Sequence, residues 1–270
     1  MLRFSWAAAS HVGNVRGNNE DSGFAGPYLL LVADGVGGAA AGEVASASTA
    51  FVTASHAMDA GEHDVLEVLA KAARTSHRHL HDGVLQDPSR HGMATTLTAV
   101  LSDGERFGIA HAGDSRGYLF RDGILRRLTT DHTLVQQLVD EHRITEAEAA
   151  RHPHRSVVLR YIGGEEEPQP DLHWLDIRVG DRLLLCSDGL TDLVAEDQIA
   201  SLLEDDADLE RVVGGLVAAA LEAGGRDNVT CVVADVVVGA RLRPDGTLVG
   251  AVRDLDNLID PAAVRLPRPA

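Results

Sequence analysis

Short apolar and alternating runs lie close together along this chain, and several are separated by gaps too brief to hold a helix. Runs at residues 95–101, 107–112 and 117–120 follow one another across residues 102–106 and 113–116. Gaps of that length suit hairpins. Further runs predict strands over 4–10, 28–34, 182–187 and 229–238. Apolar residues at helical spacing predict helices over 43–60, 64–81, 133–141, 192–203 and 209–223. In the second of these, Val65, Leu66, Leu69, Ala72, Ala73 and Leu80 fall on one face. Strands that cluster instead of alternating with helices point to an α+β fold on antiparallel sheets, not to a doubly wound parallel sheet.

Composition narrows the chemistry. The 270 residues are 44% hydrophobic, enough for a sizeable core. No apolar run approaches the ~18 residues of a membrane span, so no membrane partner is expected. The opening residues MLRFSWAAASH are too short and too polar for a signal peptide, which points to the cytoplasm. Cys186 and Cys231 both lie in apolar runs and read as buried, reduced thiols. The net charge of −17 and the 4% aromatic content oppose nucleic-acid binding. Lys71 is the only lysine and no Gly-Lys pair occurs, which excludes a Walker-type phosphate loop.

Six Asp-Gly pairs occur. Asp103-Gly104 and Asp122-Gly123 separate apolar runs and read as hairpin turns. Asp82-Gly83 and Asp245-Gly246 sit in polar surroundings and read as turns or loops. Asp34-Gly35 and Asp188-Gly189 differ, because each ends an apolar run and precedes a helix-like segment. A carboxylate at the end of a buried strand needs a counter-charge. No Lys or Arg lies within three residues of either, and a divalent cation would supply that charge. Glycine beside the carboxylate frees a backbone carbonyl to join it as an oxygen donor. Asp227, which alone reads as a loop residue before a strand, and Asp114, at the end of another strand, extend the set. Arg16 precedes Glu20-Asp21, an arrangement that serves a surface ion pair or a phosphate beside a metal. Oxygen donors select hard ions such as Mg²⁺ or Mn²⁺. Two such ions roughly 3.5–4 Å apart activate water for attack on phosphorus without a protein nucleophile.

Six motifs then stand in order: R-x-x-x-E-D (Arg16, Glu20, Asp21), D-G-x-G-G from Asp34, G-x-x-T-T from Gly92, G-D-S-R from Gly113, S-D-G-L-T-D from Ser187 and D-N-V-T from Asp227. This ordered set resembles the metal-dependent serine/threonine protein phosphatases of type 2C, in their bacterial branch. The resemblance covers about residues 5–238. It implies a four-layer αββα sandwich of two antiparallel sheets flanked by helices. It implies that Asp34 bridges two Mn²⁺ or Mg²⁺ ions, with the Gly35 carbonyl, Asp188 and Asp227 as further ligands. Glu20 and Asp21 would act through metal-bound waters, and Arg16 would bind the substrate phosphate, making Arg16 and Asp34 the catalytic pair. Asp114, with Asp188 and the carbonyl of Ser156, would hold a third, weaker ion. The implied substrates are phosphoserine and phosphothreonine in proteins, in opposition to a Ser/Thr kinase, with the enzyme a monomer. Residues 1–240 would form the phosphatase domain with a flap at about 129–165, leaving 241–270 as a tail or short added hairpin.

Two residues depart from the family pattern. Val36 stands where His or Met is common, so the proton donor to the leaving group is unassigned. His142 stands in the flap where Gly is usual. Two other readings were open. Gly113–Gly117 matches the G-x-S-x-G elbow of serine hydrolases, but the residues that follow read as a hairpin instead of the required helix. A phosphatase-like binding module without catalysis would have lost carboxylates that this chain retains.

Overall fold

A computed structural model describes residues 1–36, 41–58, 63–204 and 208–260. Gly37 and Gly38 of the D-G-x-G-G motif, the last two residues of the helix expected over 43–60, and the proline-rich end after residue 260 lie outside the described residues. Two antiparallel sheets form the centre. The first runs β1 (Leu2–His11), β12 (Val229–Val238), β11 (Arg182–Cys186), β7 (Arg116–Arg121) and β8 (Ile124–Arg127). The second runs β10 (Asp171–Leu175), β6 (Phe107–Ala112), β5 (Leu97–Ser102), β3 (Leu29–Val36), β2 (Asp21–Ala25) and β13 (Thr247–Gly250). Short β4 (Ala94–Thr95) pairs with the end of β3 and with β9 (Ile162–Gly163).

Period-two alternation stacks the layers. Leu183 and Leu185 of β11 join Leu30 and Val32 of β3 in the core between the sheets, where Phe4 and Phe107 rings meet at 5.5 Å. Leu184 and Cys186 point the other way, onto Val213 and Leu216 of α7 (Leu209–Glu222). Leu29 and Leu31 point away from β11, onto Phe51 of α1 (Gly42–Met58) and Leu69 of α2 (Val65–Gln86). The result is the expected αββα sandwich. Each buried leucine contributes roughly 1.5–3 kcal/mol, so the strands that face two cores hold the most stability.

The turns follow the reading with exceptions. Asp122 and Gly123 both take positive φ, +53° and +76°, as a two-residue hairpin turn requires. Asp82-Gly83, by contrast, lies inside α2. Gly83 is there because Ile259 and Met93 pack on it; a Cβ would meet Ile259 Cδ1 at 2.6 Å. Residues 241–260 are not a free tail or a hairpin of their own. Thr247–Gly250 pairs with β2 and forms an edge of the second sheet. The helix expected over 192–203 begins later, as α6 (Glu196–Glu204), and is preceded by a separate short turn of helix, α5 (Asp188–Thr191).

Between β8 and β9 the chain forms an excursion with two short helices, α3 (Leu134–Asp140) and α4 (Glu146–Ala149). Thr133 caps α3, and a reciprocal Thr145–Glu148 capping box starts α4. His142, between them, has φ +56°. Left-handed backbone is costly for any residue with a Cβ, which explains why glycine suits this position. His142→Gly is expected to stabilise the protein by about 0.5–1 kcal/mol, a rise of roughly 2 °C in Tm by calorimetry. An unchanged or lower Tm would contradict strain at this residue.

Candidate metal centre

A cleft of about 930 Å³ opens where strand ends of both sheets meet. Asp34 reaches it from β3, Asp114 from the β6–β7 turn, Asp188 from the start of α5 and Asp227 from the residues before β12. Asp21 is fully buried directly behind them, paired across β2 and β3 with Asp34. Five carboxylates far apart in sequence therefore converge because four loops leave the same end of the sandwich.

Buried hydroxyls and amides hold these loops together. The Asp34 N–H donates to Thr96 Oγ1 at 2.9 Å, and Thr95 Oγ1 donates to the Asp34 carbonyl at 2.8 Å. Thr96 Oγ1 also lies 2.7 Å from Ser115 Oγ, beside Asp114. The G-x-x-T-T motif thus links the Asp34 strand to the Asp114 turn. Ser187 Oγ donates to Asp21 Oδ2 at 2.7 Å and accepts from the Thr230 N–H at 3.0 Å. Asn228 accepts from the Glu20 N–H at 2.7 Å and donates to the carbonyls of Val12 and Asn18 at 2.9 and 2.8 Å. That one amide shapes the loop carrying Arg16 and Glu20. Gly35 needs its missing Cβ, which would lie 2.5 Å from the Gly42 carbonyl oxygen.

Electrostatics mark the cleft floor. Burial and the neighbouring carboxylates push Asp34 and Asp188 well above the usual carboxylate range. Burial first, and then nearby aspartates, raise Asp21 and Asp114 to about 6. Burial also raises Glu20. Arg16, exposed at the mouth, reaches Asp227 at 2.7 Å. Asp21 Oδ1 is buried and has no hydrogen-bond partner among the described residues. A buried acceptor without a donor, beside carboxylates that repel one another, is the environment a cation relieves.

The donor chemistry fits hard divalent ions. Among the described residues the cleft lining supplies carboxylates and backbone carbonyls but no His or Cys. Among the described residues, no three acidic, His or Cys side chains stand close enough to clasp an ion by themselves. Ser156 and Arg155 lie on the exposed rim contributed by the excursion, with Arg155 3.7 Å from Asp192. Val36 lines the cleft and offers no proton. Ser115 is fully buried and opens a strand, not a helix, which ends the nucleophile-elbow reading.

Residues 18–224 match the family profile described as Protein phosphatase 2C. The chain belongs to the protein phosphatase 2C family. It is 46% identical over 256 residues to the serine/threonine protein phosphatase PstP of Mycobacterium tuberculosis, covering 95% of this chain and 49% of that protein. This phosphatase 2C chain therefore spans about half the length of that relative. It is 32% identical over 237 residues to the serine/threonine phosphatase stp of Listeria monocytogenes, covering 81% of this chain and 90% of that protein. A crystal structure of the catalytic domain of PstP in complex with 2 manganese ions superposes with a TM-score of 0.80 at 46% identity, over 88% of this chain and all of that one.

Within this phosphatase 2C fold, the motif residues Arg16, Glu20, Asp34, Gly35, Asp114, Asp188 and Asp227 line one cleft, Asp21 lies behind it, and Ser156 reaches its rim from the excursion. The positioning roles of Thr96, Ser187 and Asn228 had no separate signal beyond their place in those motifs. Arg116 of G-D-S-R is engaged by a further carboxylate beside the cleft. It donates to Asp131 at 2.8 Å, and Arg127 joins the same carboxylate.

Proposed function

We propose that this chain hydrolyses phosphoserine and phosphothreonine in proteins in a Mn²⁺- or Mg²⁺-dependent reaction. One observation carries the reading: Asp34, Asp114 and Asp188, all held above their usual pKa, face a single cleft with Asp21 buried behind them and Arg16 at its mouth. Asp34, the Gly35 carbonyl, Asp188 and Asp227 would hold two ions, and Asp114 with the Ser156 carbonyl would serve a weaker third. Bound there, the ions supply Lewis acidity and a water acidic enough to attack phosphorus near neutral pH.

The chain's own groups do the rest. Arg16 is free to swing between Asp227 and an incoming phosphate, because both sit at the exposed mouth. Its planar fork suits two phosphate oxygens at once. Glu20 and Asp21 hold water by hydrogen bonds from behind. Val36 gives no proton, so the leaving alkoxide takes one from solvent in the cleft. Phosphorylated proteins are the substrates in this reading. An opposing Ser/Thr kinase, a monomeric state and a cytoplasmic site belong to the same proposal. Among the described residues no helix is long and apolar enough to cross a membrane.

The test is hydrolysis of a phosphothreonine peptide by the purified protein, with Mn²⁺ and after EDTA. Release of phosphate only with added metal is expected. A folded protein that binds Mn²⁺ and releases none would refute the enzyme reading and favour a binding module. In the same assay Arg16→Ala is expected to raise KM about tenfold or more, the loss of a charge-assisted hydrogen-bonded pair. An unchanged KM would remove Arg16 from the phosphate site.

A further inference from the structure

His132 stands where the chain leaves β8 to enter the excursion, and its side chain is 1% exposed. It grips a single glycine twice. Its backbone N–H donates to the Gly113 carbonyl at 2.8 Å, and its Nδ1 accepts from the Gly113 N–H at 3.2 Å. Gly113 is the residue before Asp114. With Nδ1 accepting, the ring proton lies on Nε2, which donates to Asp171 Oδ2 at 3.0 Å. Asp171 Oδ1 accepts from Arg160 at 2.8 Å, and the Leu159 N–H donates to the His132 carbonyl at 2.7 Å. The start and the return of the excursion are therefore tied at one residue.

Gly113 is also fixed on its other side. Its φ is +117°, and a Cβ there would meet Thr96 Cγ2 at 2.5 Å. His111 packs against the His132 ring at 4.7 Å and is itself held by the Thr130 carbonyl and Thr98 Oγ1. Burial lowers the pKa values of both rings, His111 to about 3. The Asp114 turn is thus clamped between the Thr96 strand and the excursion, whose Val158 and Tyr161 line the cleft.

We infer that His132 is a positioning residue for the reaction. Its Nδ1 sets the Gly113–Asp114 turn, and its Nε2, through Asp171 and Arg160, makes the returning segment of the excursion move with that turn. The inference rests on the phosphatase reading and on Asp114 facing the weaker ion.

Two substitutions separate the two ring nitrogens. His132→Asn keeps an acceptor near the Nδ1 position but falls short of Asp171. His132→Gln reaches toward Asp171 but offers nothing to the Gly113 N–H. The measurements are steady-state hydrolysis of a phosphothreonine peptide and of p-nitrophenyl phosphate, with calorimetric titration of Mn²⁺ alone. His132→Gln is expected to lower kcat about tenfold on both substrates and to weaken the lowest-affinity Mn²⁺ step. His132→Asn is expected to recover most of that kcat and to raise KM for the peptide several-fold instead. Asp171→Ala is expected to reproduce the effect of His132→Asn. It decides the matter if His132→Gln does not fold, because Asp171 lies on an edge strand. Equal losses in all three variants that follow their Tm, or no change in any, would reduce His132 to packing. A wild-type protein without Mn²⁺-dependent turnover would overturn the phosphatase reading instead, leaving the Mn²⁺ titration to judge the clamp.

Discussion

Asp34→Asn is expected to lower Mn²⁺-dependent phosphopeptide hydrolysis by about a thousandfold or more while raising the Tm of the metal-free protein. The loss follows if Asp34 lies between two ions, since several kcal/mol of charge stabilisation vanish with its carboxylate. The gain follows from repulsion. Asp34 is raised by burial and then by Asp21, Asp188, Asp114 and Asp227. An acid whose pKa is higher in the folded state binds more protons there than in the unfolded chain. Stability therefore falls as pH rises from the unfolded carboxylate value through the folded one, and for Asp21 and Asp114 that window runs from about 4 to about 6. Asp34 and Asp188, pushed higher still, extend the loss of stability of the metal-free protein above that window as they ionise. An amide at position 34 removes one of the charges and offers Asp21 a donor. The strand itself survives, because Thr95 and Thr96 hold the backbone of residue 34 and not its side chain. Saturating Mn²⁺ is expected to raise the wild-type Tm by several degrees and the variant's far less. An equal Mn²⁺-induced rise in both proteins would remove Asp34 from the metal site.

The parts of this site that were legible in the sequence share a physical cause. Asp34 and Asp188 stood out because an ionised group at the end of an apolar run needs explanation from local chemistry alone. The continuous apolar run Leu183, Leu184, Leu185 and Cys186 suits a strand with a core on both faces, as the structure has it. Other elements carry no such local sign. Asp21–Ala25 reads D-S-G-F-A, too short and too polar to look like a strand, yet it lies fully buried between β3 and β13. Thr247–Gly250 finds its partner over 200 residues away in sequence, and Asn228 meets Glu20 at a separation of 208. Asp82-Gly83 has the composition of a turn, but the packing of Ile259 on Gly83 keeps it in a helix. Each miss lies in a long-range contact that no window of neighbouring residues contains.

Gly189→Ala is expected to destabilise the protein strongly and to lower activity with it, whereas Gly214→Ala is expected to stabilise the protein. A Cβ on Gly189 would lie well inside contact distance of the Asn228 carbonyl oxygen, with Val229 Cα close behind. Backbone atoms cannot rotate aside as a flexible side chain can. Asn228 cannot shift either without releasing Glu20, Val12 and Asn18, and so the loop bearing Arg16. Overpacking against fixed backbone costs about 3 kcal/mol or more, a large share of the ~5–15 kcal/mol that holds a domain folded. Gly214 lies on the exposed face of α7 with nothing near its missing Cβ. There alanine only removes glycine's entropy penalty in a helix, about 0.5–1 kcal/mol. Urea unfolding of the two variants beside the wild type gives the comparison. A Gly189→Ala midpoint close to the wild type would mean that Asp188-Gly189 and Asp227-Asn228 do not pack as closely as described. The glycine would then serve conformational freedom and not the approach of the two loops that carry Asp188 and Asp227.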